Sequence, residues 1–198
     1  MEIIIHRVNT VKELKKIPHN FGIEIDIRTY KDKIILNHEP YCSGDTLINY
    51  IKYYAHGTLV INIKESGIEN DILKLIRKNK KIKSFFLLDV EIPYLFYCIK
   101  SKEKSVALRT SHYEPFNNLK YFNKKFSWIW IDTIKKINFS KNEILAINNF
   151  KTCLVCPERW GKPKEILQYF NYFKKNNIRL DAVMTSLKYA KIWKKLST

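Results

Sequence analysis

The chain has 198 residues, enough for one substantial hydrophobic core and short for two domains. Its hydrophobic content of 45% and aromatic content of 14% are typical of a packed globular protein. No apolar stretch approaches the roughly 18 residues of a membrane span, and the first residues lack the basic region and cleavage pattern of a signal peptide. We therefore expect one domain, residues 1–198, located in the cytoplasm.

The formal net charge of +17 creates a positive field that would attract a phosphate-bearing substrate, an anionic membrane or nucleic acid. The lysines are scattered over predicted helix faces and turns, which favours a solvated surface over a dedicated polyanion-binding patch. Because the sequence contains no nucleic-acid recognition motif, its charge and aromatic content alone do not favour a nucleic-acid-binding protein.

Short apolar runs typical of strands alternate with helical patterns along the chain. In chain order the predicted strands are EIIIH, GIEIDI, TLVINIK, SFFLLD, SVALR, SWIWID, TCLVC and DAVMTS, with IILNH as a short extra strand after the second. Between them, NDILKLIRK and KEILQYFNYFKK have apolar faces of helical period. Two capping boxes predict helix starts, Thr10 with Glu13 and Ser140 with Glu143.

Eight strand–helix units predict a compact (β/α)8 TIM barrel, in which the carboxyl ends of all the strands gather on one rim. Such barrels commonly need about 250 residues, so this one must have short loops or degenerate helices. The alternative is an open doubly wound sheet. That fold would need a glycine-rich phosphate loop, which the sequence lacks, and would not explain charged residues at so many strand ends.

The four cysteines include one C-x-x-C pair, Cys153 and Cys156, a spacing that also occurs in zinc and redox sites. The pair lies in a predicted strand, where residues three apart point to opposite faces. Since no second pair completes a zinc site, we interpret the cysteines as reduced structural thiols.

Glu24 and Asp26 lie in the strand segment FGIEIDIR, where alternation points both carboxylates to one side. Paired carboxylates repel and are costly to desolvate, so we expect a compensating positive charge. A hard divalent cation, Mg²⁺ or Ca²⁺, suits such oxygen ligands. The alternative is that the two acids form salt bridges with Arg7, Arg28 or Lys64.

The order of these and neighbouring residues resembles the superfamily of glycerophosphodiester phosphodiesterases and phosphatidylinositol phospholipases C, which opens with His-Arg, then Glu-x-Asp, then a second histidine. The matching residues here are His6-Arg7, Glu24-x-Asp26 and His38. Further segments look like a compact bacterial branch of these phosphodiesterases: NIKESG, DVEIP, RTSHYEP (residues 109–115), WID and PERWGK. Together these matches span nearly the whole chain.

The resemblance implies a metal-dependent phosphodiesterase with His6 and His38 as its acid–base pair. Phosphodiester cleavage needs one group to take a proton from the nucleophile and another to protonate the leaving oxygen, and histidine suits both tasks near neutral pH. The sequence does not assign acid and base between the two histidines. The alternative is a pair of hydrogen-bonded structural histidines, the class in which we place His19, His56 and His112.

The chain departs from the family pattern at two positions. Asn62 stands in an N-x-K motif where the wider family has E-x-K. An amide oxygen can coordinate a metal but adds no charge. We therefore expect either a lower affinity for the metal or ligation through a water molecule. Two residues later, Lys64 would hold a nonbridging phosphate oxygen or serve as a counter-ion for the acids. Arg7 resembles the family's phosphate-binding arginine. Val8 replaces the glycine of His-Arg-Gly, which restricts the backbone there.

Polar residues of both signs occupy the later strand ends and favour an alcohol rich in hydroxyl groups over a long acyl chain. Trp160 or Trp130 is a candidate for stacking on a sugar or polyol, with barrel core as the alternative for Trp128 and Trp130. The proposed substrate-binding residues of this later part of the rim are Asp89, Arg109, Asp132 and Glu158.

The sequence therefore predicts a phosphoric diester hydrolase acting on a small phosphodiester or polymer fragment with a polar alcohol. If a neighbouring substrate hydroxyl attacks before water, the enzyme is a cyclising phosphodiester lyase. The alternative is a non-catalytic phosphate- or polyanion-binding barrel, which Asn62 and Val8 favour slightly. Retention of both histidines and both acids argues against it, since binding alone needs no acid–base pair. The sequence does not predict the oligomeric state.

Overall fold

The computed structural model describes residues 1–114 and 121–197. The strands within these ranges are β1 (Glu2–Ile5), β2 (Gly22–Tyr30), β3 (Lys33–Leu36), β4 (Leu59–Ile63), β5 (Phe85–Leu88), β6 (Ala107–Thr110), β7 (Trp128–Ile131), β8 (Lys151–Val155) and β9 (Ala182–Thr185). All eight predicted strands and the short extra strand are therefore confirmed. Pro115, the last residue of the RTSHYEP segment, lies outside the described ranges.

The strands form one hydrogen-bonded path in the order β5-β4-β2-β1-β9-β8-β7-β6, and β3 pairs antiparallel with β2 beside that path. The eight strands of the path make a nearly closed parallel barrel with intervening helices, which confirms the predicted compact (β/α)8 fold. Apart from the nine-residue β2, these strands have only four or five residues. The short strands help a chain below the usual length to complete the barrel.

The helices in the described part are also short. They are α1 (Val11–Leu14), α2 (Leu47–Tyr50), α3 (Glu69–Lys78), α4 (Ile92–Ser101), α5 (Lys141–Ile147), α6 (Ile166–Lys175) and α7 (Leu187–Ser197), with 3-10 turns at Ile51–Tyr53, Pro157–Trp160 and Pro163–Glu165. Both predicted capping boxes are present at the starts of α1 and α5. None of the described helices is long and apolar enough to cross a membrane.

The chain divides into two compact units, Ile4–Ile92 and Met1–Ile3 with Pro93–Thr198. In the first unit, the first six residues of β2 are buried on both faces, as expected for a strand of a parallel barrel, whose inner face meets the core and whose outer face is covered by helices. Its isoleucines, Ile23, Ile25 and Ile27, are fully buried and alternate with Glu24 and Asp26. The same alternation that fills the core therefore points both carboxylates to one face.

In the second unit, Trp128 and Trp130 lie on β7 and are buried, which agrees with the core interpretation rather than with substrate stacking for Trp130. Trp160 is 40% exposed. Cys153 and Cys156 are buried, and Cys156 Sγ accepts a hydrogen bond from Trp193 Nε1 at 3.2 Å. The C-x-x-C pair thus lies in the packed interior.

Candidate active site

Eight of the predicted site residues lie on, or within two residues of the end of, strands in the unit Ile4–Ile92. Two lie within β2, one lies near the end of β4, and the rest follow β1, β3, β4 and β5. Parallel strands direct their carboxyl ends to one side of a barrel, and the antiparallel β3 holds Asn37, the residue before His38, beside Asp26 through a backbone hydrogen bond of 3.0 Å. The eight residues are His6, Arg7, Glu24, Asp26, His38, Asn62, Lys64 and Asp89.

Glu24 is almost fully buried, with an exposed fraction of 1%, and both of its carboxylate oxygens accept hydrogen bonds. The Arg7 backbone N–H donates to Oε2 at 2.7 Å, and Asn62 Nδ2 donates to Oε1 at 3.1 Å. His6 Nε2 lies 3.9 Å from Oε2. Burial, and secondarily the charge of Asp26, nevertheless raise the pKa of Glu24 to about 7.

Asp26 is fully buried and forms two hydrogen bonds with Asn9. Asn9 Nδ2 donates to Asp26 Oδ2 at 2.8 Å, while Asn9 Oδ1 accepts from the Asp26 backbone N–H at 2.8 Å. Lys64 Nζ lies 3.4 Å from Asp26 Oδ1, and Arg7 Nε lies 3.8 Å from Oδ2. The predicted salt-bridge alternative is therefore partly realised, since two cations approach this carboxylate.

Arg28, the third cation of that alternative, has other partners. Its Nε donates to the His38 carbonyl at 3.0 Å, and its Nη1 donates to the Lys64 carbonyl at 3.0 Å. Arg28 thus ties together the backbone beyond β3 and beyond β4. Through those two bonds it helps to position the residues that carry the predicted proton-transfer and phosphate-binding side chains.

Two buried oxygens beside Glu24, Asp26 Oδ1 and Asn62 Oδ1, accept no hydrogen bond in the described part of the chain, although Lys64 Nζ lies at ion-pair distance from Asp26 Oδ1. Buried polar atoms are nearly always hydrogen-bonded in proteins, so each of these oxygens is a candidate ligand atom. Carboxylate and amide oxygens are donors that Mg²⁺ and Ca²⁺ accept. The described residues contain no group of three His, Cys, Asp or Glu side chains arranged to hold a metal. A cation here would therefore depend on the amide of Asn62 as its third protein ligand.

Two candidate residues adopt backbone conformations that are unusual for residues other than glycine. Arg7 has φ of 53° and Asp89 has φ of 60°. Because β1 ends at Ile5, strand alternation does not apply to Arg7, and its left-handed turn brings the backbone N–H and the side chain to the two acids. Such conformations cost about 1–2 kcal/mol each and concentrate at functional sites.

The two candidate catalytic histidines differ in their surroundings. The His6 side chain is 12% exposed and lies next to Glu24. The His38 side chain is 34% exposed, and its Nδ1 lies 2.6 Å from Glu39 Oε1. The hydrogen bond from His38 is the main reason that the pKa of Glu39 is lowered. With Glu39 ionised, His38 Nδ1 carries the proton in this contact and Nε2 is the nitrogen left to exchange one.

Lys64 connects the acids on β2 with the residue that follows β5. Besides its contact with Asp26, its Nζ lies 4.0 Å from Asp89 Oδ2. Asp89 thereby belongs to the same charged group as Glu24, Asp26 and Lys64, although the sequence placed it with the alcohol-binding residues.

The remaining predicted residues lie in the unit Met1–Ile3 with Pro93–Thr198. Arg109 Nη1 donates to Asp132 Oδ2 at 2.9 Å, and the other oxygen of Asp132 accepts from the Ile134 backbone N–H at 3.1 Å. Glu158 Oε1 accepts hydrogen bonds from Thr185 Oγ1 and from the Ser186 backbone N–H. The structure brings Arg109 and Asp132 together, while Glu158 stabilises the end of β9.

The loops that follow β6 and β7 enclose a cavity of about 290 Å³ in the same unit. Its lining is mostly polar and includes both signs of charge, as the sequence predicted for this part of the chain. The lining residues are Thr110, Ser111, His112, Glu114, Lys136, Ile137, Asn138, Phe139 and Glu143.

Sequence reasoning gave no role to Asn9 and Glu39, and it treated Arg28 only as a counter-ion. Asn9 directly precedes Thr10, for which the sequence predicted a helix cap, but the sequence analysis assigned no contact to Asn9 itself. Glu39 follows the candidate His38 directly and is acidic, which is a weak signal for a hydrogen-bond partner. No sequence pattern indicates that Arg28 bonds two carbonyls.

No protein-family model matches the chain, and no curated protein sequence matches it significantly. Several solved structures are similar. The glycerophosphodiester phosphodiesterase of Thermotoga maritima has a TM-score of 0.68 and 15% identity, over 98% of this chain and 97% of that chain. A phosphodiesterase of Oleispira antarctica, solved in complex with the product sn-glycerol-3-phosphate, has a TM-score of 0.68 and 15% identity, over 100% of this chain and 97% of that chain.

A putative glycerophosphoryl diester phosphodiesterase of Agrobacterium tumefaciens has a TM-score of 0.64 and 11% identity, over 98% of this chain and 97% of that chain. These alignments cover nearly the full length of each partner, and at this level of identity they establish a likeness of fold. The structural comparisons therefore confirm, at the level of the fold, the resemblance that the sequence motifs indicated. The chain has the fold of the glycerophosphodiester phosphodiesterases.

Proposed function

We propose that this protein is a metal-dependent phosphodiesterase that cleaves a P–O bond of a polar phosphodiester. The observation that carries the proposal is Asn62 Oδ1, a buried oxygen that accepts no hydrogen bond in the described part of the chain, beside the buried carboxylates of Glu24 and Asp26. Asp26 Oδ1 also accepts no hydrogen bond, and it lies 3.4 Å from the Lys64 ammonium. A purely structural cluster would hydrogen-bond these oxygens internally, whereas a ligand site leaves them able to coordinate a cation. The fold of the glycerophosphodiester phosphodiesterases supports the same reaction class.

Glu24, Asp26 and Asn62 would hold the divalent cation, Mg²⁺ or Ca²⁺. When bound, the cation would neutralise the charge that builds on the phosphoryl oxygens during cleavage. The pKa of Glu24 is raised because burial and the charge of Asp26 outweigh the hydrogen bonds that Glu24 accepts. The positive groups around the two carboxylates therefore do not fully balance their charge. Because Asn62 is neutral, we expect weaker cation binding than at a site with three carboxylates.

Lys64 and Arg7 are the cationic side chains that approach Asp26, and we assign them to the phosphate group. Both side chains are incompletely buried, with exposed fractions of 18% and 43%, so a phosphodiester can reach them from solvent. Each can donate to a nonbridging oxygen while remaining near the carboxylate that balances its charge. Asp89, in contact with Lys64, would hold that ammonium in place.

His6 and His38 would carry out the proton transfers. One removes the proton from the attacking hydroxyl or water, and the other delivers a proton to the leaving alcohol oxygen. Glu39 would orient the imidazole of His38 through Nδ1 and keep Nε2 free for the transfer. Attack by water makes the protein a phosphoric diester hydrolase, and attack by a neighbouring substrate hydroxyl makes it a cyclising lyase.

A non-catalytic phosphate-binding protein is the second candidate function, and the neutral Asn62 favours it. The other departure from the family pattern carries less weight in the structure. Val8 is buried, and its carbonyl accepts a hydrogen bond from Tyr50 Oη at 2.7 Å, so packing accounts for this residue. His6 beside Glu24, and a second histidine held by Glu39, are more than phosphate binding requires.

Phosphorus NMR of the purified protein with glycerophosphodiesters and Mg²⁺ or Ca²⁺ tests the proposal. We expect turnover that stops in the presence of a chelator and in the His38→Ala variant. A monoester product identifies hydrolysis, and a cyclic phosphate identifies the lyase route. If the protein binds the phosphodiesters but does not convert them with either cation, the binding function replaces the proposal.

A further inference from the structure

We propose that a face of the unit Ile4–Ile92, away from the candidate active site, binds the surface of an anionic lipid bilayer. This α2–α3 face consists of residues from α2, the following 3-10 turn, the last turn of α3 and the loop after it. Its residues are Ile48, Ile51, Lys52, Leu75, Lys78, Asn79, Lys80 and Lys81.

The α2–α3 face is a shallow groove of about 490 Å³ with an aliphatic floor and a basic rim. Ile48 is 56% exposed although it is a large aliphatic side chain, Leu75 is half-buried on the outer side of α3, and Ile51 is buried beneath them. Aliphatic side chains that project outward among lysines are typical of surfaces that bind in the interfacial region of a membrane.

Four lysines line the groove, and all of them are exposed. Lys78, Lys80 and Lys81 come from one segment, whereas Lys52 comes from the turn after α2, so the fold collects charges that are distant in sequence. None of the described residues that line the groove is acidic. A cluster of this size attracts an anionic lipid surface, because each lysine near the headgroups adds to the electrostatic attraction.

The two halves of the face are held together by Asn79. Its Nδ2 donates to the Ile51 carbonyl at 2.6 Å, and its Oδ1 accepts from the Lys81 backbone N–H at 3.0 Å. These bonds fix the loop after α3 against the 3-10 turn. The lysines and the aliphatic groups are therefore presented together on a preformed surface, which lowers the entropy lost on binding.

The composition of the face favours a bilayer over nucleic acid. Proteins that bind single strands without sequence preference stack bases on aromatic side chains, and none of the described residues lining this groove is aromatic. Aliphatic side chains gain little from a polar, stacked strand, but they are stabilised in the acyl boundary of a bilayer. Charge and exposed apolar groups thus point to the same partner.

The position of the face determines what membrane binding does to the enzyme. Helix α3 begins after the carboxyl end of β4 and ends before the amino end of β5, so the α2–α3 face lies toward the amino ends of these strands. The candidate catalytic histidines follow β1 and β3, and the candidate metal ligands lie within β2 and near the carboxyl end of β4, in the same unit. A bound bilayer would leave this candidate active site open to soluble phosphodiesters.

Vesicle sedimentation tests the inference. The full-length protein is mixed with phosphatidylcholine vesicles that do or do not contain phosphatidylserine. We compare the wild type with a patch variant, Lys78→Glu with Lys80→Glu and Lys81→Glu, and with a control of equal charge change, Lys174→Glu with Lys175→Glu and Lys191→Glu. The aliphatic contribution is tested with Ile48→Ser, and thermal unfolding verifies that each variant is folded.

We expect binding only to vesicles that contain phosphatidylserine, a loss of about tenfold or more in the patch variant, and a measurable loss in Ile48→Ser. The control variant should lose much less. No binding of the wild type, or equal losses in patch and control variants, would overturn the inference. A patch variant that loses affinity for a single-stranded oligonucleotide but keeps vesicle binding would overturn it in favour of nucleic acid. These readouts need no turnover, so they remain decisive if the proposed phosphodiesterase activity fails.

Discussion

Asn62 donates a hydrogen bond to Glu24 across the β2–β4 pair, with 3.1 Å between Nδ2 and Oε1, and this bond leaves Asn62 Oδ1 buried and unpaired. The amide therefore does two things at once. It stabilises one buried acid by donation, and it leaves a buried acceptor oxygen able to coordinate a cation. A carboxylate at this position would supply the acceptor and an additional charge, but it would lose the donor.

This geometry predicts the effect of Asn62→Asp. A third carboxylate adds attraction for a divalent cation, so the concentration of Mg²⁺ or Ca²⁺ at half-saturation should fall by about tenfold or more. In chelator the same variant should be less stable than the wild type, because three buried carboxylates then repel one another. Thermal unfolding followed across a cation titration measures both effects without a substrate.

Asn62→Leu is the matched variant for that experiment, since it has a similar size and no ligand oxygen. We expect it to abolish the rise in melting temperature that the cation produces in the wild type. Equal cation affinity in wild type, Asn62→Asp and Asn62→Leu would show that Asn62 is not near the bound ion. The candidate metal ligands would then be Glu24 and Asp26 alone.

The raised pKa of Glu24 predicts how the stability of the cation-free protein depends on pH. The carboxyl ionises near 4.5 in the unfolded chain and at about 7 in the folded protein. Between these values the folded state keeps a proton that the unfolded state has lost, so the free energy of unfolding falls as pH rises. The full loss is on the order of 3 kcal/mol and is complete above the folded pKa.

Urea unfolding in chelator at several pH values between 4 and 8 measures this dependence. Glu24→Gln serves as the reference, because it removes the titration while keeping an oxygen that can accept one of the hydrogen bonds. The wild type should lose stability relative to this variant as pH rises. Parallel curves for the two proteins would contradict the raised pKa.

Lys64 and Asp26 form a coupled pair that a double-mutant cycle can resolve. Lys64→Met removes the nearest cation from a fully buried carboxylate and should lower the free energy of unfolding in chelator by about 2–3 kcal/mol. In the background of Asp26→Asn, the same substitution should cost about 1 kcal/mol or less, because the carboxylate nearest to Lys64 is then neutral and the contact of Lys64 with Asp89 is longer, at 4.0 Å.

The control for this cycle is Lys74→Met, which removes a lysine from the exposed pair with Asp71. An exposed pair of this kind contributes about 0.5 kcal/mol or less, so this variant should unfold nearly as the wild type does. If Lys64→Met costs the same in both backgrounds, Lys64 stabilises the protein through its packing and not through the charge of Asp26.

The sequence was sufficient for the architecture because each element carried its own signal. The alternation of β2 predicted that Glu24 and Asp26 share a face, and the capping boxes predicted the starts of α1 and α5. These are local relationships, governed by strand period and by hydrogen bonds within one helical turn. The positions of the site residues at strand ends followed from the barrel itself.

What the sequence could not supply were contacts made by the chain after it leaves a strand. The left-handed turn at Arg7 is not encoded by a glycine, and it decides that a backbone N–H meets Glu24. Loop conformation also determines the two hydrogen bonds between Asn9 and Asp26. The same is true of the hydrogen bonds that Arg28 donates to two backbone carbonyls. Such contacts are set by tertiary packing, which periodicity does not report.

The contact between His38 and Glu39 predicts that Glu39 acts as a positioning residue. Removing the carboxylate in Glu39→Ala frees the imidazole to rotate and to change tautomer, so kcat should fall by about tenfold while KM and cation affinity stay nearly unchanged. Glu39→Gln keeps an oxygen that can accept from Nδ1 and should recover part of that loss. Steady-state kinetics on a glycerophosphodiester at saturating cation measures each value.

The decisive comparison is between His38→Ala and the double variant His38→Ala with Glu39→Ala. If Glu39 acts only through the imidazole, the second substitution should cause no further loss once His38 is absent, because residues that act as a unit are not additive. Additive losses would show that Glu39 contributes by another route, such as direct contact with the substrate. The exposure of Glu39, at 68% of its side chain, leaves that route open to solvent and makes the comparison informative.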